Sequence, residues 1–237
     1  SSYLVPKHLS ANRGLMAETR KHSFFKSFSD VKLYVIISSQ PAKKPVLEIL
    51  QDVIQGGADA VQLREKTMPD RELLIMAREF KKITAQSKTI FIVNDHAEIA
   101  REVDADGLHI GQSDIDIHTA RTMLGYDKII GVSTHTILQA RMAQQWGADY
   151  IGIGPVFYTA TKDYEIPVGL DCLKQVSREI AIPCVAIGAI NLENIHDVFH
   201  AGGKRVAICS AIICSDNVRE ATRSFKNLLS AHTGFFP

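Results

Sequence analysis

The chain has 237 residues, of which 46% are hydrophobic and 22% are charged, values that are ordinary for a globular domain with a sizeable core. Its 27 Lys and Arg residues balance 26 Asp and Glu residues, so no basic excess indicates a nucleic acid or a membrane surface as partner. The longest nearly apolar stretch, residues 181–190, is too short to span a bilayer, and the N-terminus has no secretory signal pattern. The four cysteines, which form no CxxC pair, favour reduced thiols in a cytoplasmic protein.

The first part of the chain differs from the rest. Up to Phe28 it has five basic residues, one acidic residue and poor apolar periodicity. We therefore predict an N-terminal extension over residues 1–29 and a catalytic domain over residues 30–237. The extension fits a surface arm or the remnant of an organelle-targeting peptide, and the sequence leaves both interpretations open.

From Val31 onward, short β-branched runs alternate with amphipathic stretches, which is typical of a parallel sheet with crossover helices. An open doubly wound sheet is the alternative, but the turn after the first strand, Ser38 to Pro41, lacks a glycine-rich phosphate fingerprint. The prediction is an α/β protein with a single (β/α)8 TIM barrel. Strands are predicted near residues 32–38, 59–64, 89–94, 107–111, 128–132, 150–154, 184–188 and 205–209, and helices include residues 46–55, 70–86, 136–146, 191–200 and 218–229.

Active sites of such barrels lie at the C-terminal ends of the strands. The second strand ends in Gln62, Leu63, Arg64, Glu65 and Lys66. Side chains alternate along a strand, so Gln62, Arg64 and Lys66 share one side while Leu63 faces the helices. Two cations facing a barrel interior need an anion, which predicts either a phosphorylated substrate or an internal salt-bridge network.

The third strand ends in Asn94 and Asp95, and Asp114 follows the fourth strand. Two aspartates at adjacent strand ends can converge on Mg²⁺, which proteins hold with one or two carboxylates while substrate phosphates complete the shell. Either aspartate alone would be a helix N-cap. Together, beside the cationic second strand, they predict a metal–diphosphate site. His109 on the fourth strand fits a core histidine as well as a functional one.

The later strands provide smaller polar groups. Ser133 ends the fifth strand, and a long connection over residues 156–169 follows the sixth, a length typical of lids. Small residues after the seventh and eighth strands, among them Gly188, Ala189 and Ser210, expose backbone N–H groups that suit a phosphate. One diphosphate pocket and one monophosphate pocket indicate two phosphorylated small-molecule substrates.

Seven motifs in register over residues 32–229 resemble the thiamine phosphate synthase family. They are Gln62-Leu63-Arg64-Glu65-Lys66, Asn94-Asp95, His109 to Asp114, Ser133-Thr134-His135, Gly154 to Phe157, Thr159-Ala160-Thr161-Lys162 and the turn at Ile187-Gly188. The resemblance implies that hydroxymethylpyrimidine diphosphate is joined to thiazole phosphate, with diphosphate leaving before the thiazole nitrogen attacks. It also implies a homo-oligomer that binds neither nucleic acid nor membrane.

The resemblance also implies residue roles. Asp95 and Asp114 resemble Mg²⁺ ligands, and Arg64, Lys66, Ser133 and Lys162 resemble catalytic groups. The pyrimidine diphosphate site is predicted from Gln62, Leu63, Arg64, Glu65, Lys66, Asn94, Ser133 and Lys162, and the thiazole phosphate site from Thr159, Ala160, Thr161, Gly188, Ala189, Cys209 and Ser210.

The chain leaves the family pattern at Ala189, where a second glycine is common. A positive φ at this position would strain an alanine. A related subfamily isomerises the thiazole phosphate, typically lacks the metal aspartates and has a histidine where this chain has Pro155. Both features here favour the synthase over the isomerase. A catalytically silent ligand sensor is a third alternative.

Overall fold

The computed structural model describes residues 27–158 and 166–232. Eight parallel strands close into one barrel in sequence order, which confirms the predicted (β/α)8 architecture. The strand ends differ from the predicted bounds by at most two residues; for example, β5 runs two residues further than predicted and β8 is two residues shorter. The strands are β1 (Leu33–Ile37), β2 (Ala60–Leu63), β3 (Ile90–Asn94), β4 (Gly107–Ile110), β5 (Ile129–Thr134), β6 (Tyr150–Ile153), β7 (Cys184–Ile187) and β8 (Val206–Ile208).

Helices surround the barrel. Within the described ranges they are α1 (Val46–Gly56), α2 (Asp70–Thr84), α3 (Ala97–Glu102), α4 (Ile117–Leu124), α5 (Ile137–Trp146), α6 (Gly169–Glu179), α7 (Ile195–His200), α8 (Ser210–Ile213) and α9 (Val218–His232). Helix α7 begins four residues later than the predicted start at Asn191. The Asn191 side chain accepts from the N–H groups of Glu193 and Asn194, so a turn replaces the first helical turn. Across these ranges no helix combines the length and apolar character needed to cross a membrane.

At the N-terminal ends of three strands, an aspartate carboxylate accepts from backbone N–H groups. Asp59 accepts from the N–H groups of Lys32 and Leu33, at the start of the preceding strand. Asp106 and Asp149 do the same for Phe91 and Ile130. Each aspartate lies two residues after a position with positive φ, namely Gly57, Asp104 and Gly147. The sequence is Gly-Ala-Asp at two of these places and Asp-Ala-Asp at the third. Each of these segments follows a helix and holds the N-terminal end of the barrel together, so that the opposite end is left for chemistry.

The barrel interior is a packed core. Alternate residues face inward, and the largest of them are Tyr34 and Tyr150, which are 2% and 0% exposed. Phe28, in a 3₁₀ turn before β1, closes the N-terminal end, with its ring stacked on Tyr150 at a centroid distance of 3.7 Å. The predicted extension over residues 1–29 therefore reaches into the barrel packing at its last residues, and its boundary stays a prediction.

Candidate active site

The site residues predicted at the end of β2 lie in different surroundings. Gln62 is buried in the barrel interior, whereas Leu63 packs in the apolar layer between the sheet and the helices. Arg64 is half-buried, and Lys66 is exposed at the mouth of the barrel. Glu65 is turned away: its carboxylate accepts from the N–H and hydroxyl of Ser39 and holds the loop after β1. The structure thus places the two cations at the mouth and Glu65 in a supporting position.

The two predicted metal ligands meet at the ends of β3 and β4. The Asp95 carboxyl lies within hydrogen-bonding reach of the Asp114 carboxyl. Burial, followed by the contact with Asp114 and repulsion from it, raises the pKa of Asp95 to about 6, and Arg64 offsets part of this rise. The Asp114 carboxylate is fixed by the N–H of Gly111 at 2.6 Å. Two carboxylates held this close favour a bound cation.

Asp95 also has an unusual backbone. Its φ is +61°, and the N–H of His96 donates to the carbonyl of Asn94 at 2.7 Å, which makes Asp95 the centre of a tight γ-turn. A further bond joins the Asp95 N–H to the carbonyl of His109 on β4 at 2.9 Å. Strained residues concentrate where function needs a side chain in one place, and here the strain aims the carboxylate across to Asp114.

The donor set suits Mg²⁺. In the described part of the chain, no group of three or more His, Cys, Asp or Glu side chains is arranged to hold a metal. A cage built only from protein groups is therefore absent from these residues. Two carboxylates at an open mouth, with the half-buried Arg64 close to Asp95, match an ion whose remaining ligands are water and substrate phosphate.

A chain of buried hydrogen bonds crosses the barrel beneath the mouth. The Gln62 Nε2 lies 2.6 Å from Tyr34 Oη, which lies 3.0 Å from Tyr150 Oη. Tyr150 Oη is 2.9 Å from His109 Nδ1, and His109 Nε2 is 2.8 Å from Ser133 Oγ. Burial, helped by the Arg64 cation, lowers the pKa of His109 to about 4, so the imidazole is neutral. Two predicted substrate-binding residues, Gln62 on β2 and Ser133 on β5, are thereby connected.

The turn after β7, which is predicted to bind the thiazole phosphate, is tightly packed and strained. A Cβ at Gly188 would lie 2.5 Å from Pro155 Cα, so only glycine lets this turn approach the end of β6. Ala189 has a φ of +49°, in the left-handed region that disfavours alanine. The Asn194 side chain donates to the Ala189 carbonyl at 2.9 Å and fixes the turn. The departure from the family pattern is therefore a strained one.

The end of β8 lies beside this turn. Cys209 is half-buried, and burial raises the pKa of its thiol to about 11, so it is protonated and unreactive at neutral pH. Ser210 is exposed and begins the short helix α8.

Four predicted residues, Thr159, Ala160, Thr161 and Lys162, lie outside the described residues. Asn94 is buried at the C-terminal end of β3, directly before Asp95 and next to β2, which carries Gln62.

Sequence reasoning missed two members of the buried chain, Tyr34 and Tyr150. Both lie at inward positions of their strands, and a polar aromatic residue at an inward position is a signal that a buried partner exists. The partner itself cannot be read from the sequence, because Tyr34 and Tyr150 are separated by 116 residues. His109 is a satisfied core histidine at Nδ1 and reaches Ser133 at Nε2, so it fits both of the interpretations that the sequence left open.

Comparison with known proteins agrees with this geometry. A family model described as thiamine monophosphate synthase matches residues 33–212. The thiamine-phosphate synthase of Moorella thermoacetica is 42% identical over 204 residues, covering 85% of this chain and 97% of its own. That of Halalkalibacterium halodurans is 40% identical and covers 84% and 96%. The solved structure of a thiamine phosphate pyrophosphorylase from Pyrococcus furiosus has a TM-score of 0.78 and 34% identity, covering 85% and 96%.

Proposed function

The chain belongs to the thiamine monophosphate synthase family of transferases, and from this premise we propose that its barrel joins hydroxymethylpyrimidine diphosphate to thiazole phosphate. The products are thiamine phosphate and diphosphate. The bond between the pyrimidine methylene carbon and the diphosphate oxygen breaks, and its electron pair leaves with the diphosphate. The lone pair of the thiazole nitrogen then forms the new bond to that carbon.

The observation that supports this proposal most strongly is the convergence of Asp95 and Asp114 beside Arg64. A like-charged pair with a raised Asp95 pKa is unfavourable without a cation. Asp95 and Asp114 would hold Mg²⁺, which neutralises charge on a diphosphate when it is bound. The isomerase alternative needs neither carboxylate, and this chain has Pro155 where that subfamily has a histidine.

The remaining cations act on the leaving group. Arg64 can grip two diphosphate oxygens with its planar guanidinium, while Lys66 is a compact charge at the mouth. Lys162 is proposed as a third cation from its sequence motif alone. Charge on the diphosphate grows as the carbon–oxygen bond breaks, so these groups stabilise the transition state more than the bound substrate.

The other substrate contacts follow the strand ends. Gln62, Asn94 and Ser133 are proposed for the pyrimidine ring and its diphosphate, with Leu63 and Glu65 shaping the β2 end behind them. The backbone of Gly188, Ala189, Cys209 and Ser210 is proposed for the thiazole phosphate, completed by Thr159, Ala160 and Thr161. The two substrates are thereby proposed to bind on opposite halves of the barrel mouth, because the described residues of the first set lie at the ends of β2 to β5 and those of the second set at the ends of β7 and β8. A homo-oligomeric assembly stays a prediction.

The direct test is mass-spectrometric detection of thiamine phosphate after the protein is mixed with both substrates and Mg²⁺. The proposal expects product only when both substrates are present. Conversion of thiazole phosphate to an isomer without the pyrimidine substrate would instead assign the isomerase activity. A protein that binds either substrate and converts neither would be the silent sensor.

A further inference from the structure

We infer that His109, held by Tyr150, is a positioning residue that presents the Ser133 hydroxyl to the pyrimidine diphosphate as a hydrogen-bond donor. The inference rests on the proposed function for the identity of the ligand. It follows from the direction in which the buried chain of hydrogen bonds runs, from β2 to β5 across the barrel.

The direction is set at Gln62. Its Nε2 lies 2.6 Å from Tyr34 Oη, and an amide nitrogen can only donate. Tyr34 has one hydrogen of its own, and within the described residues Tyr150 Oη, at 3.0 Å, is the other polar partner of its hydroxyl. Both rings are buried, and a buried hydroxyl hydrogen without an acceptor costs about 1–3 kcal/mol. Tyr34 therefore donates to Tyr150.

The hydrogen bonds continue in the same donor-to-acceptor order through the His109 imidazole. Having accepted from Tyr34, Tyr150 donates its hydrogen to His109 Nδ1 at 2.9 Å. A neutral imidazole whose Nδ1 accepts has its hydrogen on Nε2. Nε2 lies 2.8 Å from Ser133 Oγ and donates to it. Since the described residues provide no acceptor for the hydrogen of the Ser133 hydroxyl, it is left for a bound ligand.

Rigid packing makes the imidazole a precise anchor. The Tyr150 ring is stacked on Phe28 with an interplanar angle of 5°. A Cβ at Gly131 would lie 2.0 Å from Tyr150 Cζ, so the ring fills space that glycine alone leaves open. The Ser133 backbone is fixed as well, because Gln112 Nε2 donates to its carbonyl at 2.6 Å. Catalytic groups held by packed neighbours keep the geometry that their contacts require.

Ser133, the last group in the buried series of hydrogen bonds, indicates the chemistry of the ligand. Ser133 is half-buried at the mouth, unlike the four groups beneath it. A hydroxyl that donates selects an acceptor without hydrogens, such as a diphosphate oxygen or an unprotonated ring nitrogen. Ser133 lies on the β2 to β5 half of the mouth, so the acceptor belongs to the pyrimidine diphosphate and not to the thiazole phosphate.

A double-mutant cycle separates this role from simple packing. Tyr150→Phe removes the hydroxyl and keeps the ring that stacks on Phe28. We expect kcat/KM for the pyrimidine diphosphate to fall about tenfold, the effect of one well-placed hydrogen bond, with KM for thiazole phosphate unchanged. In a Ser133→Ala background, Tyr150→Phe should have no further effect on kcat/KM. An equal fall in both backgrounds would mean that Tyr150 acts only on the fold and would overturn the inference.

A second pair of variants tests the imidazole itself. His109→Gln keeps an amide N–H near the position of Nε2, whereas His109→Leu removes every donor. The Gln variant should retain at least about tenfold more activity than the Leu variant, since it still donates to Ser133. Equal activity of the two folded variants would contradict a positioning role.

The tautomer can be measured without substrate. The ¹⁵N chemical shifts of the His109 ring in the full chain should show hydrogen on Nε2 and an accepting Nδ1. Hydrogen on Nδ1 would reverse the chain, make Ser133 a donor to the imidazole and overturn the inference. Because this readout needs no turnover, failure of the coupling reaction would remove the proposed function and leave the tautomer result standing.

Discussion

At the scale of single residues, Asp95 combines a strained backbone with a repelled carboxylate. The φ of +61° is tolerated by Asn nearly as well as by Asp, so Asp95→Asn removes the charge and keeps the γ-turn. We expect kcat to fall on the order of 10³-fold, because the cation that balances the leaving diphosphate loses a ligand. Steady-state kinetics at saturating Mg²⁺ measure this effect.

The matched control for that variant is Asp116→Asn. Asp116 lies two residues after Asp114 and caps helix α4 by accepting from the Thr119 N–H at 2.9 Å. Its replacement should lower stability by about 1 kcal/mol or less and leave kcat within about twofold. Similar losses of kcat in both variants would show that charge near the mouth, and not a metal ligand, is responsible.

The same Asp95→Asn variant makes a prediction about stability. The folded pKa of Asp95 is about 6, above the ordinary 3.8, so the wild type loses stability as pH rises from about 4 to 6. In chelator, the variant should be more stable than the wild type at pH 8 by about 1 kcal/mol, a value reduced for the solvent exposure of the carboxylate. This advantage should shrink below pH 4. Urea unfolding at both pH values tests it, and a constant difference would argue against carboxylate repulsion.

Ala189 is the second strained residue of the site. Glycine adopts its φ of +49° without the steric conflict of a Cβ, so Ala189→Gly should raise the free energy of unfolding by about 1 kcal/mol. Thiazole phosphate affinity should improve by at most about fivefold, and KM for the pyrimidine diphosphate should not change. Chemical denaturation and titration with thiazole phosphate check both parts. A less stable glycine variant would show that the turn has no strain to release.

At the scale of elements, the strand starts and the strand ends have separate tasks. Asp59 accepts from the N–H groups of Lys32 and Leu33 and pairs with Lys226 of α9. Asp59→Ala removes the carboxylate that accepts from both N–H groups and should lower the free energy of unfolding by about 1–3 kcal/mol, with both KM values preserved. Asp127→Ala, at an exposed carboxylate after α4, should change stability by less than about 0.5 kcal/mol. A loss of substrate affinity in Asp59→Ala would mean that the two ends are coupled.

The elements also show how far sequence reasoning reaches. The barrel was predictable because its signals are local: short β-branched runs alternate with amphipathic stretches from Val31 onward. The late start of α7 was not, because Asn191 competes for its own backbone through a side chain whose rotamer the pattern does not specify. Strand alternation placed Gln62 inside the barrel, but its contact with Tyr34 depends on the register in which β1 pairs with β2. Likewise, the contact of Glu65 with Ser39 could not be predicted, because the two residues lie in different loops.

At the scale of the whole molecule, the barrel separates stability from chemistry along its axis. Carboxylates at the strand starts hold backbone N–H groups, whereas Asp95 and Asp114 at the strand ends face each other without such compensation on Asp95. Between them, a buried chain of hydrogen bonds runs through the core from Gln62 on β2 to Ser133 on β5. We therefore propose that catalysis takes place in the polar mouth, which the apolar fold supports at some cost in stability.

We propose that two carboxylates and a bound metal ion assist the release of diphosphate as the two substrates are joined. This proposal is tested by following thiamine phosphate and diphosphate together in one reaction, first in excess chelator and then after Mg²⁺ is added back. We predict no product in chelator, and on addition of Mg²⁺ one diphosphate released for each thiamine phosphate formed. Undiminished formation of thiamine phosphate in excess chelator would contradict the account.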